Sequence, residues 1–320
     1  MMHLAMLITV TCWAANMVAI KEALVGFSPL ALALVRAIGA AIVFGVLFAF
    51  LGDWSQLRLS RAQWLRFFLL AFCGITMNQL LFIEGVAHTN VPHAALIVAV
   101  EPVMVLVLSV LMRLEPLTTL KFAGMAISFA GVIALAHGKP AHGGQACWLG
   151  DLILMAEVVV LAFYTILMKP IADQYDVVTL NTAIFGLGAL MMIPFGASAV
   201  WHQRWSQISV RSVLVLGFMI FFSAVIGYLL FAFALQGLTA SRVAAFNYVE
   251  PVIATGLGIW LLRDRVMLSG ILGGCLILLG VYFTERARRR SNWLMAPPRS
   301  ASRLYFTAGF EPRDAGVLAE

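Results

Sequence analysis

The chain contains two matching stretches, PHAALIVAVEPVMVLVLSVLMRLEPLTTLKFAGMAISFAGV at residues 92–132 and SRVAAFNYVEPVIATGLGIWLLRDRVMLSGILGGCLILLGV at residues 241–281. A constant offset of 149 residues places Glu101 on Glu250. It pairs eight further positions: Val100 with Val249, Pro102 with Pro251, Val103 with Val252, Leu108 with Leu257, Glu115 with Asp264, Gly124 with Gly273, Gly131 with Gly280 and Val132 with Val281. Apolar segments match by chance, but charged, proline and glycine positions rarely keep one register over about forty residues. We therefore infer an internal repeat.

The composition places this repeat in a membrane. Of 320 residues, 62% are hydrophobic and 11% are charged, and the mean hydropathy is +0.97. A soluble domain carries about 25% charged residues, so most of this surface must face hydrocarbon rather than water. The net charge of +6 includes a cluster at Arg286, Arg288, Arg289 and Arg290. Because the cluster directly follows an apolar stretch, we interpret it as the flank of a membrane helix and expect no nucleic-acid partner.

Ten apolar stretches approach or exceed the length of about 20 residues that a helix needs to cross a bilayer. They cover residues 3–21, 29–51, 64–84, 91–112, 118–137, 148–168, 177–199, 211–235, 242–262 and 268–285. In lipid only helices and closed barrels satisfy the backbone hydrogen bonds, and the alternating pattern of barrel strands is absent. The predicted fold is an all-α integral membrane protein with ten transmembrane helices.

The repeat offset covers five of these helices. An odd number of helices turns the second copy upside down in the membrane, which predicts two inverted five-helix repeats. We assign the first repeat to residues 1–137, the second to residues 148–285, and a basic cytoplasmic tail, expected to be disordered, to residues 286–320. Secondary transporters typically have this architecture, with the substrate site near the membrane midplane.

Lys and Arg are distributed unevenly between the two predicted faces. If the N-terminus is cytoplasmic, eleven basic residues lie on the cytoplasmic face and six on the opposite face. The positive-inside rule then places both termini in the cytoplasm. We expect a multi-pass protein of the cell membrane, in a bacterium the inner membrane.

Several segments carry a resemblance to a known family. They are CWAANMVAIKEAL at residues 12–24, SPLALALVRAIGAAIV at 28–43, residues 93–135, GDLILMAEVVVLAFYTILMK at 150–169 and residues 241–283. Through them each half resembles one EamA repeat of the drug/metabolite transporter superfamily, from residue 8 to about residue 284. The resemblance implies ten helices, both ends in the cytoplasm and, usually, the export of amino acids or other metabolites.

Glu101 and Glu250 fall deep inside predicted helices, and each is followed by a proline. Glu101 lies ten residues after Val91 and twelve before Arg113, about 15 Å from either helix end. A carboxyl at that depth should face a cavity, pair with a cation or hold a proton. Because proline removes a backbone donor, we expect a bent helix with free carbonyls beside each acid, suited to a hinge or an ion site. The alternative is a neutral Glu that only fixes helix packing.

Two further charged residues lie within the apolar stretches. Glu157 is a candidate proton site or a contact for a substrate ammonium, with a tolerated polar residue facing the cavity as the alternative. Arg36 has a planar guanidinium that suits a substrate carboxylate or an intramembrane Glu, whereas a long side chain can also snorkel to the interface. We favour a structural ion pair for Arg36, because an Arg here is usual in the family that the chain resembles.

Uncharged polar and aromatic side chains complete the candidate site. A metabolite cavity needs a few such groups among apolar walls, although each one singly is more often a contact between helices. The candidates are Trp13, Asn16, Asn78, Gln79, Tyr164, Tyr228, Asn247 and Tyr248. His88 and His93 lack further ligand-type neighbours, the four cysteines lack paired spacing, and nucleotide-binding and hydrolase motifs are absent. We therefore expect no metal, no cofactor and no enzymatic activity.

Together these observations predict a carrier. We expect a secondary active transporter, an exporter of amino acids or other small metabolites, that alternates access around a midplane cavity and uses protons through Glu101, Glu250 or Glu157. The alternatives are a membrane-embedded lipid-modifying enzyme, disfavoured by the short loops, and a non-transporting subunit, disfavoured by the paired midplane acids. The expected partners are a small-molecule substrate, a coupling proton and the lipid bilayer, and homodimerisation stays open.

Overall fold

The computed structural model describes residues 1–57, 60–89, 94, 97–137, 148–253 and 268–286. Every regular element in these residues is helical. Six helices among them are long and apolar enough to cross a membrane, and three shorter apolar helices accompany them. Large apolar side chains such as Ile42, Leu190 and Leu214 are more than 60% exposed, as expected for a surface in contact with hydrocarbon. The chain is thus an all-helical, multi-pass integral membrane protein.

We number the helices in chain order, and several consist of consecutive segments. They are α1 Met2–Ala23, α2 Pro29–Leu51, α3 Arg61–Ala71 with Phe72–Met77 and Asn78–His88, α4 Glu101–Leu111, α5 Thr119–His137, α6 Trp148–Ala172, α7 Val177–Trp201, α8 Val210–Phe218 with Met219–Ile226 and Gly227–Gly237, α9 Ala240–Ala245 with Phe246–Val249, and α10 Leu268–Arg286. The ends of helices α1 to α3 and α6 to α8 lie within about four residues of the ends of the corresponding apolar stretches. The tail from residue 287 onward and His93 lie outside the described residues.

Local capping determines where several helices begin. Ser60 accepts a hydrogen bond from the Gln63 backbone, and the Gln63 side chain accepts one from the Ser60 backbone, which is a capping box at the start of α3. The Asp176 carboxylate accepts from the Val178 and Thr179 backbones at the start of α7. These side chains satisfy backbone N–H groups that have no partner within the helix.

The two ends of α1 define two faces of the molecule. Near its start, His3 lies 3.3 Å from the Arg242 guanidinium at the beginning of α9. Near its end, the Lys21 ammonium donates a hydrogen bond to the Thr89 carbonyl at 2.7 Å. A helix of this length measures about 33 Å, so the two contacts lie on opposite sides. We call them the N-terminal face and the opposite face.

Helices α5 and α10 cross at direct backbone contact. The Ser128 hydroxyl donates to the Ile277 carbonyl at 3.1 Å, and these two residues are separated by the repeat offset of 149. A Cβ atom on Gly131 would lie 2.7 Å from the Gly273 carbonyl oxygen, and one on Gly124 would meet Gly280. Gly131 therefore meets the counterpart of Gly124, and Gly124 meets the counterpart of Gly131. A two-fold relation between α5 and α10 requires this pattern.

Helices α3 and α8, the third helices of the two predicted repeats, each contain a π-helical segment. Phe72–Met77 interrupts α3 and Met219–Ile226 interrupts α8, and the offset of 149 places the first segment on residues 221–226 of the second. π-helical segments are rare in proteins, and those that occur often lie at functional sites. Here they directly precede the candidate residues Asn78 and Gln79 in α3 and Tyr228 in α8.

The predicted helices over residues 91–112 and 242–262, which the sequence expects to bend at their prolines, are interrupted. In the described part, α4 begins at Glu101 directly after a turn, and α9 changes to a 3-10 helix at Phe246–Val249 before residues 250–253 become helical again. The physical reason is that Pro102 and Pro251 cannot donate to the carbonyls four residues before them. The two acids therefore begin helical segments instead of lying in mid-helix.

Candidate functional site

Three carboxyl side chains meet in the interior. Glu101 in α4, Glu157 in α6 and Glu250 after α9 are at most 3% exposed. Glu157 lies within electrostatic reach of both Glu101 and Glu250, and Glu101 within reach of Glu250. The structure thus brings together the three acids that the sequence proposed separately. Such a cluster is costly in hydrocarbon, which makes it the candidate functional site.

Glu157 is held by a chain of hydrogen bonds from α3 and α8. The Asn78 amide donates to Glu157 Oε1 at 2.7 Å, and the Tyr228 hydroxyl donates to Asn78 Oδ1 at 3.2 Å. The amide orientation of Asn78 is therefore determined by its two partners. Glu157 Oε2 is buried and has no hydrogen-bond partner within the part of the chain that the structure describes. One oxygen is thus occupied, and the other remains available for a proton or a cation.

Glu101 is held by the interrupted segment of α9. The Asn247 amide donates to Glu101 Oε2 at 2.8 Å, and Tyr248 lies within electrostatic reach of the same carboxyl. Asn247 Oδ1 and the Tyr248 hydroxyl are buried without hydrogen-bond partners among the described residues. The 3-10 segment therefore presents two polar side chains beside the acid cluster.

Arg36 in α2 is 4% exposed and donates to the Ser223 hydroxyl at 3.0 Å. The Ser223 carbonyl in turn accepts from the Trp13 indole at 3.2 Å. Tyr228 lies within electrostatic reach of both Arg36 and Glu157. The interior therefore contains both a guanidinium and a carboxyl group near one tyrosine, Tyr228. In the described residues Arg36 contacts a hydroxyl rather than a carboxylate, so the structural ion pair that the sequence favoured remains a prediction.

Aromatic rings form the apolar wall around these groups. Trp13 lies 5.7 Å from Tyr228 and 5.4 Å from Phe231 between ring centroids. Tyr164 stacks on Phe231 with an interplanar angle of 13°, and Phe185 contacts Tyr228 edge-on at 5.0 Å. Rings in such offset and edge contacts stabilise one another. The wall joins α1, α6, α7 and α8.

Sequence reasoning identified most members of this site but missed several. It missed Ser223, Phe231 and Phe185, because a hydroxyl or a Phe within an apolar stretch carries no distinguishing signal. Asn16 is buried in α1, and no hydrogen bond or ring contact joins it to the other candidates within the described residues. Gln79 is also buried, and neither polar atom of its side chain has a partner there.

Several buried polar atoms of the candidate residues have no hydrogen-bond partner. Nearly all buried polar groups in folded proteins have hydrogen-bond partners. Within the described residues the exceptions include Asn16 Oδ1, Arg36 Nε, Gln79 Oε1 and Nε2, Glu157 Oε2, Tyr164 Oη, Asn247 Oδ1 and Tyr248 Oη. A few convergent polar groups among aromatic walls are the chemistry of a site for a small polar molecule.

Comparison with known proteins adds a family and a fold. The model of the EamA-like transporter family matches residues 1–136 and 148–286. An uncharacterized transporter of Archaeoglobus fulgidus is 28% identical over 284 residues, covering 88% of this chain and 97% of that protein. A probable terminal-alkyne amino-acid exporter of Streptantibioticus cattleyicolor is 27% identical, covering 89% and 95%. A solved crystal structure superposes with a TM-score of 0.72 at 17% identity, covering 90% of this chain and 97% of that one, which supports the fold alone.

Proposed function

The chain belongs to the EamA-like transporter family, and on that premise we propose that it is a secondary active exporter of amino acids or other small polar metabolites. It is a non-enzymatic membrane transporter with a small-molecule substrate. The buried Arg36 and Glu157, which both lie within electrostatic reach of Tyr228, are the observation that carries the proposal. Alternating access would move the two halves against one another around this site.

Two inverted five-helix repeats, residues 1–137 and 148–285, account for several features of the fold. The reciprocal crossing of α5 and α10 supports them, because Ser128 meets its own counterpart Ile277. The matched π-helical segments in α3 and α8 and the matched interruptions before Glu101 and Glu250 support them as well. We place the N-terminal face in the cytoplasm of the cell, as the distribution of basic residues favours.

The polarity of the interior suits a zwitterionic substrate. The free oxygen of Glu157 can accept a substrate ammonium, and the guanidinium of Arg36 can bind a carboxylate in a planar, bidentate manner. Tyr228 lies within electrostatic reach of both groups, which supports a single site that holds both ends of the substrate. The Streptantibioticus relative is named a probable terminal-alkyne amino-acid exporter, which supports this class of substrate.

The same cluster suits proton coupling. Adjacent carboxylates repel one another, and a proton or a substrate ammonium relieves that repulsion. A proton that enters from one face would therefore displace an ammonium bound to Glu157. This exchange would connect the proton gradient to export.

Purified protein in vesicles tests the proposal. Glu157→Gln and Glu250→Gln should each reduce proton-driven flux of an amino acid at least about tenfold, while exchange of labelled for unlabelled substrate continues in at least one of them. Glu84→Gln is the matched control, since Glu84 lies near the end of α3 beside His88 and its side chain is 33% exposed. Unchanged gradient-driven flux in both cluster variants would rule out the coupling role.

A further inference from the structure

A buried ion pair joins the two halves on the N-terminal face. Glu115, in the connection between α4 and α5, forms a close ion pair with Lys121, and each of the two side chains is 8% exposed. The same carboxylate accepts hydrogen bonds from the Ser241 hydroxyl and, at 3.1 Å, from the Ser241 backbone N–H at the start of α9. The neighbouring Arg242 contacts His3, which places this group on the N-terminal face. We call Glu115, Lys121 and Ser241 the Glu115 latch.

We propose that the Glu115 latch closes the N-terminal face and biases the transporter towards the conformation that is closed there. This inference rests on the proposed alternating access, because only a chain that opens on each face in turn has an equilibrium to bias. In the closed state the latch ties the α4–α5 connection of the first half to α9 of the second. Separation of the halves on this face must break the bonds to Ser241.

The latch can release Ser241 while it keeps the ion pair between Glu115 and Lys121. Glu115 and Lys121 belong to the same half, so their ion pair persists when α9 moves away. The Ser241 hydroxyl and N–H can then bind water instead. Opening therefore costs charge-assisted hydrogen bonds but leaves no buried charge without a partner, which would be far more costly. This makes the latch reversible.

The residue types of the latch are not repeated in the second copy of the repeat. The offset of 149 relates Glu115 to Asp264, but it relates Ser241 to Pro92 and Lys121 to Gly270. Proline has neither a hydroxyl nor an N–H, and glycine has no side chain. Pro92 and Asp264 lie outside the described residues, so only their residue types enter here. All three donors of the latch are thus lost in the second copy.

The described contacts on the opposite face include one bond between the halves, because the Thr89 hydroxyl donates to the Asp151 carboxylate at 2.7 Å. Glu22 also pairs with Arg211 at 2.7 Å, but these side chains are 41% and 77% exposed, and exposed ion pairs contribute little stability because water screens them. The bond from Lys21 to the Thr89 carbonyl joins helices of one half. The latch therefore adds to closure of the N-terminal face without excluding closure of the opposite face.

Thiol labelling of the full chain in vesicles tests the latch. The reporter is Ala244→Cys in a background without other cysteines, because Ala244 is fully buried one turn inside Ser241. Ser241→Ala removes one donor to a charged acceptor and should accelerate maleimide labelling of this reporter about tenfold. Glu115→Gln should accelerate it further, and Ser241→Thr, which keeps the hydroxyl, should restore the slow rate.

Two controls separate opening from unfolding. Ala40→Cys in α2 is also fully buried, and its labelling should not respond to the latch variants. Glu22→Gln on the opposite face should not accelerate labelling of Ala244→Cys. Equal labelling rates in the parent and in Ser241→Ala would overturn the latch, even if transport is normal. Faster labelling without any substrate flux would support the latch as an opening device while counting against the proposed exporter.

Discussion

The end of α4 depends on one strained residue, Arg113. It has a φ of 56°, in the left-handed region that non-glycine residues rarely occupy. Its N–H bonds the Val110 carbonyl at 3.0 Å, and the Leu114 N–H bonds the Ser109 carbonyl at 2.9 Å. This pair of bonds is a Schellman motif, in which glycine usually takes the left-handed position. The motif turns the chain so that Glu115 reaches α9.

Replacing Arg113 by glycine should therefore stabilise the protein. Arg113→Gly removes the left-handed strain and should raise the free energy of unfolding by about 1 kcal/mol. Thermal unfolding in detergent micelles measures the effect. Arg113→Ala removes the same charge but keeps the strain, so an equal gain in that variant would show that the charge, not the backbone, was responsible.

The charge state of Glu115 determines the pH range in which the latch holds. Burial alone would raise the pKa of Glu115, but the Lys121 ammonium and the hydrogen bonds from Lys121 and Ser241 outweigh it and hold the pKa below its ordinary value of 4.5. A carboxyl whose folded pKa is depressed contributes its full stability above the unfolded pKa and loses it as the pH falls through the folded pKa. The latch should therefore release only in acid below about pH 4.5.

This behaviour separates the latch from the interior acids that we propose couple transport to protons. Labelling of Ala244→Cys, normalised to a free thiol at each pH, should stay constant between about pH 6 and about pH 8. Proton-driven flux should vary over the same range because the interior acids exchange protons. A labelling rate that rose in parallel with flux would contradict the assignment of the two functions to different carboxyls.

At the scale of helices, close packing of α5 on α10 depends on residues without a side chain. Gly131 faces the Gly273 carbonyl and the Ile277 backbone at 2.7 and 2.8 Å from the position of a Cβ atom. In lipid, helices associate through such close van der Waals contact rather than through the hydrophobic effect. The crossing therefore tolerates no added carbon without separation of the two helices.

Gly131→Ala should accordingly destabilise the protein by about 2 kcal/mol, the usual cost of overpacking a close contact. Thermal unfolding in detergent gives the magnitude. Gly45→Ala in α2 is the matched control, because nothing lies within 4 Å of a Cβ atom there, and it should cause no loss. If both variants melted like the parent, the crossing would be looser than the structure indicates.

At the scale of the whole molecule, the inverted arrangement makes a prediction about membrane sides. Thr89 lies at the opposite face beside Lys21, whereas Arg242 lies at the N-terminal face beside His3. Reporter tags inserted just before residue 90 and just before residue 240 should therefore appear on different sides of the membrane. The tag near residue 240 should share the side of an N-terminal tag. Both tags on one side would refute the inverted repeats and the carrier mechanism that depends on them.

The sequence alone was sufficient for the membrane class and for the six long apolar helices, whereas the inverted repeat stays a prediction. Long apolar runs must form helices in lipid, because each backbone group has to find its partner within the segment. The depth of Glu101, Glu157 and Glu250 within these runs marked them as costly and hence as candidate functional residues. These properties are local or periodic, so they can be read without knowledge of the packing.

Only the tertiary structure decided which of these groups meet. Asn78 reaches Glu157, Arg36 reaches Ser223, and Glu115 reaches Ser241, each across a long separation in sequence that no local pattern encodes. The π-helical segments likewise depend on how neighbouring helices pack around the chain, whereas the interruptions at the two acids follow from Pro102 and Pro251 in the sequence. Bonds between distant residues form where helix axes, crossing points and rotations coincide, and those are properties of the packed molecule rather than of any one segment.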